Sequence, residues 1–333
     1  MGKNTNKKDG VSLANIISVI GLGFLGFSLF LGNYYNPTDP GNVGMSVIVA
    51  LVGVAIFGVL LWFIVKAKTS EVQRKNWRIV EYITLGVYII LAVGASFISA
   101  RFFNVYFSSG SFYSDARADL DSISGKIVAM QTLEKSNLDR LTTALNNIES
   151  RRYTTTSVVD RFMEENNIMQ NGEVKESYIR NFTDRQGRII ENLTYENENY
   201  KAAWDEQIEA SRNVLDDNSL FEIPNVVKQL NDLKEAVPPR LTDVSGSLKL
   251  PSWEVNASNM YEQIGNHMPY SCGITLSSVE SYKKAVNEFS VVGAILTLII
   301  FLIILFNYFM APRSSKTEIQ KGSGMSVQGL SIK

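Results

Sequence analysis

Four stretches of this chain carry no charged residue across a membrane's depth, and they limit its fold more than any other feature. They are residues 11–31, 45–65, 82–100 and 289–310. At about 1.5 Å of rise per residue, a helix of such length crosses a hydrocarbon core of roughly 30 Å. A buried helix of a soluble domain rarely stays uncharged for so long. The near-zero mean hydropathy of +0.01 hides this, because it averages apolar spans with a strongly charged remainder. Arg78 and Glu81, at the start of the third stretch, are expected at the membrane interface, where long side chains reach water. The first run ends in Gly32-Asn33-Tyr34-Tyr35 rather than a small-residue cleavage site, so it is expected to be a retained anchor.

Charge placement predicts orientation. Outside residues 101–288 there are 12 Lys and Arg, and they cluster in the first ten residues, around 66–78 and after 311. The loop 32–44 has no basic residue. By the positive-inside rule both termini are cytoplasmic. Residues 101–288, with 20 basic and 28 acidic side chains, then lie on the other side of the membrane. An acidic segment of this kind gives no support for nucleic-acid binding. With one cysteine, Cys272, the chain cannot form an internal disulfide, which favours a bacterial inner-membrane protein with a periplasmic domain.

The expected organisation is therefore an all-α membrane protein. Residues 1–10 form a cytoplasmic tail and 11–100 a three-helix membrane unit, with spans at 11–33, 44–66 and 79–100 and a cytoplasmic loop at 67–78. Residues 101–288 form an elongated, mainly helical periplasmic domain. Residues 289–310 form a fourth span, and 311–333 a flexible cytoplasmic tail around Gly322-Ser323-Gly324. Small residues in the spans (Gly21, Gly23, Gly26, Gly53, Gly58, Gly86, Gly94) predict close helix contacts, and Asn15 and Asn307 are expected to join helices. Gly21, Gly23 and Gly26 also spell a dinucleotide fingerprint, but inside a membrane run the packing role is preferred.

In the outer segment, apolar residues recur at Ala116, Leu120, Ile123, Ile127 and Met130, then Leu138, Leu141, Leu145 and Ile148. The spacing predicts a long helix with a coiled-coil-like stutter, whose stripe is expected to capture partners. A short helix is expected from Ser157 through Phe162, stopped by Asn171-Gly172. A second long helix is expected over 178–215, interrupted at Gly187, and a third from Pro224 to the pair Pro238-Pro239. Residues 240–275 read as irregular with a short strand pair, and 276–310 as one continuous helix.

Catalytic chemistry is sparse. The single histidine, His267, lies five residues before Cys272, the one thiol–imidazole idea the chain offers. No Gly-rich oxyanion loop accompanies it, and one His with one Cys cannot supply a four-ligand structural metal site. Glu164-Glu165 and Asp216-Asp217 read as solvated surface, Trp204 and Trp253 as core or interface. No catalytic, cofactor-binding or metal residue is assigned, and no enzyme activity is expected. The spans carry no ionisable group near a midplane, where proton relays and ion-driven motors place them.

Tetraspanins share the layout of three close spans, an outer segment and a final span, but they need paired cysteines where this chain has Ser271-Cys272-Gly273. The layout resembles more closely the TssN family, an inner-membrane component of a type VI secretion system. The resemblance rests on residues 11–100 as a three-span unit, a helical outer segment, and residues 289–310 before a short basic tail. It implies a non-enzymatic subunit of an envelope-spanning complex. Its expected partners are membrane lipid, further copies of itself, other envelope proteins in the periplasm and a baseplate-like partner in the cytoplasm, with no nucleic acid and no cofactor. A sensor or adaptor recruiting cytoplasmic partners, and a channel or transporter component, remain the alternatives.

Overall fold

The computed structural model describes residues 12–70, 74–151, 157–194, 199–248, 270–288 and 290–312. The chain divides into two compact units, one from residues 1–109 with 282–333, the other Gly110–Ser281. Each is built almost entirely of helices.

The first unit contains α1 (Leu13–Tyr34), α2 (Val43–Thr69), the first part of α3 (Arg74–Arg151), α9 (Val291–Ile304) and α10 (Phe306–Met310). Three of the described helices are long and apolar enough to cross a membrane, and up to four spans result if the bent pair Ser277–Asn287 and Val291–Ile304 counts as one. The chain thus has the helices of a membrane protein. Leu51, Ile90 and Leu302 turn outward, while Leu25, Leu29, Phe57, Ile64, Tyr88, Phe301 and Ile304 pack inward. An apolar exterior of this extent suits hydrocarbon rather than water. With lipid outside, close approach and hydrogen bonds hold such helices together.

Both devices are visible. A Cβ built on Gly26 would lie 2.8 Å from a Val54 methyl, on Gly53 2.4 Å from Leu29, and on Gly32 2.0 Å from the carbonyl oxygen of Ile98. Gly21 is similarly close to Ile304, whereas Gly23, Gly86 and Gly94 meet nothing within 4 Å and make no such contact. Ser28 Oγ bonds Ser99 Oγ at 3.2 Å, and Tyr88 donates to the Phe301 carbonyl at 3.2 Å. Asn15 is exposed and does not bridge helices; Ser18 does, its Oγ accepting the Asn307 backbone N–H at 3.1 Å.

The region expected to be one helix over 276–310 is broken. α8 (Ser277–Asn287) ends where Asn104 Nδ2 donates to the carbonyls of Ala285 and Glu288, each at 3.0 Å. Ser290 then caps α9, its Oγ accepting from the Gly293 N–H at 3.0 Å. A cap that satisfies free N–H groups starts a new helix rather than continuing an old one.

The second unit holds the rest of α3, α4 (Ser157–Glu165), α5 (Glu176–Asn192), α6 (Tyr200–Asp216), α7 (Ile223–Ser247) and the start of α8. The third charge-free stretch and the long helix expected after it are one uninterrupted element of 78 residues. The stripe Ala116 to Ile148 is buried, but within its own unit. Leu138, Leu141, Leu145 and Ile148 form one cluster with Met163, Ile168, Ile179, Phe182 and Ile190. The expected partner-capturing stripe is therefore internal core.

Three further expectations are corrected. Asn171-Gly172 closes a two-residue hairpin between β1 (Met169–Gln170) and β2 (Glu173–Val174), with φ of 53° and 74°. Asn-Gly at two positive φ values is the favoured tight hairpin turn. Gly187 lies inside α5, and the break comes at Leu193, buried in the left-handed region with φ 55°. Pro238 and Pro239 sit within α7, which continues because Leu241 and Val244 beyond them are fully buried. Residues 240–247 are thus helical rather than irregular. The strand pair expected in 240–275 falls largely on 249–269, outside the described residues.

Candidate functional site

Buried polar side chains cost free energy unless satisfied, so they mark where a fold does something specific. Helix α3 carries two in the second unit. Asp119 is 5% exposed, and its carboxylate accepts four hydrogen bonds. Oδ1 takes Ser277 N–H (3.1 Å) and Oγ–H (3.0 Å), while Oδ2 takes Ser278 N–H (2.9 Å) and Oγ–H (2.5 Å). A carboxylate placed on the first turn of α8 satisfies its free N–H groups and complements the positive end of the helix dipole. Asp119 therefore fixes where α8 begins. Asp119→Ala strips these bonds from buried donors and should cost about 2–4 kcal/mol. Hydrogen exchange at the α8 amino terminus should accelerate; unchanged protection there would contradict the clamp.

Glu134 is fully buried and accepts from Ser245 Oγ and, at 3.5 Å, from Asn137 Nδ2. Ser245 Oγ in turn accepts the Tyr270 N–H at 2.7 Å. The set ties α3 to α7 and to the chain entering α8. Glu134 occupies the offset between the two apolar runs of α3, a signal the periodicity contained and the reading as a stutter passed over.

The first unit has a comparable knot at one end of its helices. Glu81 is 2% exposed rather than turned to water, and its Oε1 accepts from Tyr308 Oη at 2.8 Å. Lys68 donates to the carbonyls of Tyr308 at 2.5 Å and Phe309 at 3.4 Å, with its ammonium 4.5 Å from the Tyr308 ring. A cation on the last carbonyls of a helix complements its negative end. One carboxylate, one phenol and one ammonium thereby join α2, α3 and α10.

An open groove of about 520 Å³ runs between α3 and α5, lined by Lys135, Asp139, Asp184, Arg188 and Glu191 over Leu138 and Ile190. All five charged side chains are exposed and alternate in sign, the pattern of solvated surface. Glu164, Glu165, Asp216 and Asp217 are likewise exposed, Asp216 pairing with Arg117 at 3.3 Å. Trp204 is buried core; Trp253 and His267 lie outside the described residues. Among the described residues no three His, Cys, Asp or Glu side chains converge as a metal site would require.

Cys272 is partly buried. Burial pushes its thiol above the ordinary range, and the ammonium of Lys126 pulls it down by less. Because the thiolate is the nucleophile, a raised pKa leaves less of it near neutral pH. Alkylation of Cys272 should be slow at neutral pH and rise as pH climbs toward the elevated value, lagging an exposed thiol throughout. Cys272→Ser should leave cellular function intact. Fast alkylation near neutral pH, or lost function at normal abundance, would bring back a thiol-based activity.

The chain matches no known protein family, no curated protein and no solved structure.

Proposed function

We propose that this chain is a non-enzymatic structural subunit of an envelope-spanning complex. Four spans form its base in a bacterial inner membrane, with both termini cytoplasmic and residues 101–288 in the periplasm. The observation that carries the reading is how its buried polar groups are used. Asp119, Glu134 and Glu81 each accept hydrogen bonds that fasten one helix to another. Side chains committed in this way build a scaffold. The resemblance to the TssN family supplies a specific form of it, an inner-membrane anchor of a type VI secretion apparatus. In that form the basic residues around 66–78 and the tail 311–333 meet cytoplasmic machinery, and the outer unit meets periplasmic proteins.

Purification from native membranes in mild detergent tests this reading. A multimer that brings other envelope proteins with it is expected. A strict monomer that co-purifies with nothing contradicts it. Tight association with a soluble signalling enzyme instead would favour the adaptor alternative.

A further inference from the structure

We propose that the outer unit pairs with a second copy of this chain through one face of α3, with the two helices parallel and in register. The proposal rests on the assembly reading above and names the surface that would serve it. One face of α3 is used up by its own unit, with Leu120, Ile123, Ile127, Met130 and Leu138 buried. The other presents Ala118, Ser122, Gly125, Ala129, Thr132 and Ser136, all exposed and all uncharged. Their spacing alternates between four and three residues, the seam positions of a heptad. Side chains this small let two helices approach closely.

The flanks of the seam identify the occupant. In a parallel pair, the residue before each first seam position faces the partner's residue five places on. In this register Asp121 faces the partner's Lys126 and Val128 faces the partner's Leu133, while Lys135 meets the partner's Arg140, a like-charge pair where the seam ends. Lys126 joins no ion pair among the described residues, and Asp121, which also accepts from Arg212 at 2.6 Å, is 70% exposed. Val128 and Leu133 are 52% and 45% exposed, and with Phe221 they are the exposed large apolar side chains of the described second unit. Two of those three thus fall at facing flank positions beside one complementary charge pair. Gly125 adds to this: a Cβ there meets nothing within 4 Å, so the chain's own packing does not require glycine. A mid-helix glycine costs roughly 1 kcal/mol against alanine, and a closely approaching helix would account for it. The seam is bounded by Asp115 and Asp139, at the next seam positions on either side, where like charges would meet. Every copy enters α3 from the membrane at the same residue, so parallel alignment follows from chain direction.

Disulfide trapping in membranes tests the seam, in full-length protein carrying Cys272→Ser. Ala129→Cys and Thr132→Cys should each give a disulfide-linked homodimer on mild oxidation, since facing seam positions bring Cα atoms within about 4–7 Å. Ala210→Cys, exposed on α6, should not. Adding Lys126→Asp to Ala129→Cys should abolish the dimer, and further adding Asp121→Lys should restore it. No more linkage at the seam than at Ala210→Cys, or linkage only to a different protein, overturns the proposal. A native multimer that persists without seam linkage defeats the seam alone; a monomer defeats the assembly reading as well.

Discussion

Leu141→Glu should unfold the second unit rather than release a partner. Leu141 is fully buried, in one cluster with Leu138, Leu145, Met163 and Phe182. A carboxylate placed there loses its hydration, and the apolar contacts of the leucine are lost with it. Together these should cost about 4–5 kcal/mol or more, a large share of the roughly 5–15 kcal/mol that holds a domain folded. Limited proteolysis should then open Gly110–Ser281 while the membrane unit stays protected. A variant that keeps a resistant second unit and loses only a binding partner would return this stripe to the role of a recognition surface.

The second large effect is expected at Gly32. A Cβ there would lie 2.0 Å from the Ile98 carbonyl oxygen and 2.7 Å from its carbon. These are backbone atoms of α3, so no side-chain rotation relieves the clash, and α1 and α3 must separate. Overpacking typically costs about 1–3 kcal/mol and occasionally more; contact with rigid backbone puts Gly32→Ala at the upper end, about 3 kcal/mol. Gly86→Ala and Gly94→Ala are the matched controls, since a Cβ at either meets nothing within 4 Å. Both should be neutral or favourable by up to about 1 kcal/mol. Thermal stability in detergent should fall for the first variant and hold for the other two. Equal stability of all three would mean that α1 and α3 do not approach as described.

Much of the fold was legible because its signals are local. Charge-free runs mark helices that lipid can surround, and every apolar position named between Ala116 and Ile148 is buried. Periodicity reports that a face is covered but not by what, so the stripe of α3 read as a partner surface although its own unit fills it. The two-residue hairpin at Asn171-Gly172 was legible in the dipeptide itself and was instead read as a stop signal. Pro238-Pro239 does not end α7, because burial beyond the prolines outweighs the local breaking tendency. The clamp at Asp119 left no local trace at all. Its partners Ser277 and Ser278 lie 158 and 159 residues further along the chain, and no window of sequence contains both ends.

The proposed assembly role requires the membrane to separate Gly110–Ser281 from the two termini. Impermeant thiol labelling of single-cysteine variants in intact cells, with Cys272→Ser as background, tests that most directly. A cysteine at Ser219, in the second unit, should label once the outer membrane is made permeable, and one at Ser323 should stay protected until the inner membrane is broken. Labelling of Ser323→Cys with protection of Ser219→Cys, or labelling of both alike, would contradict the account.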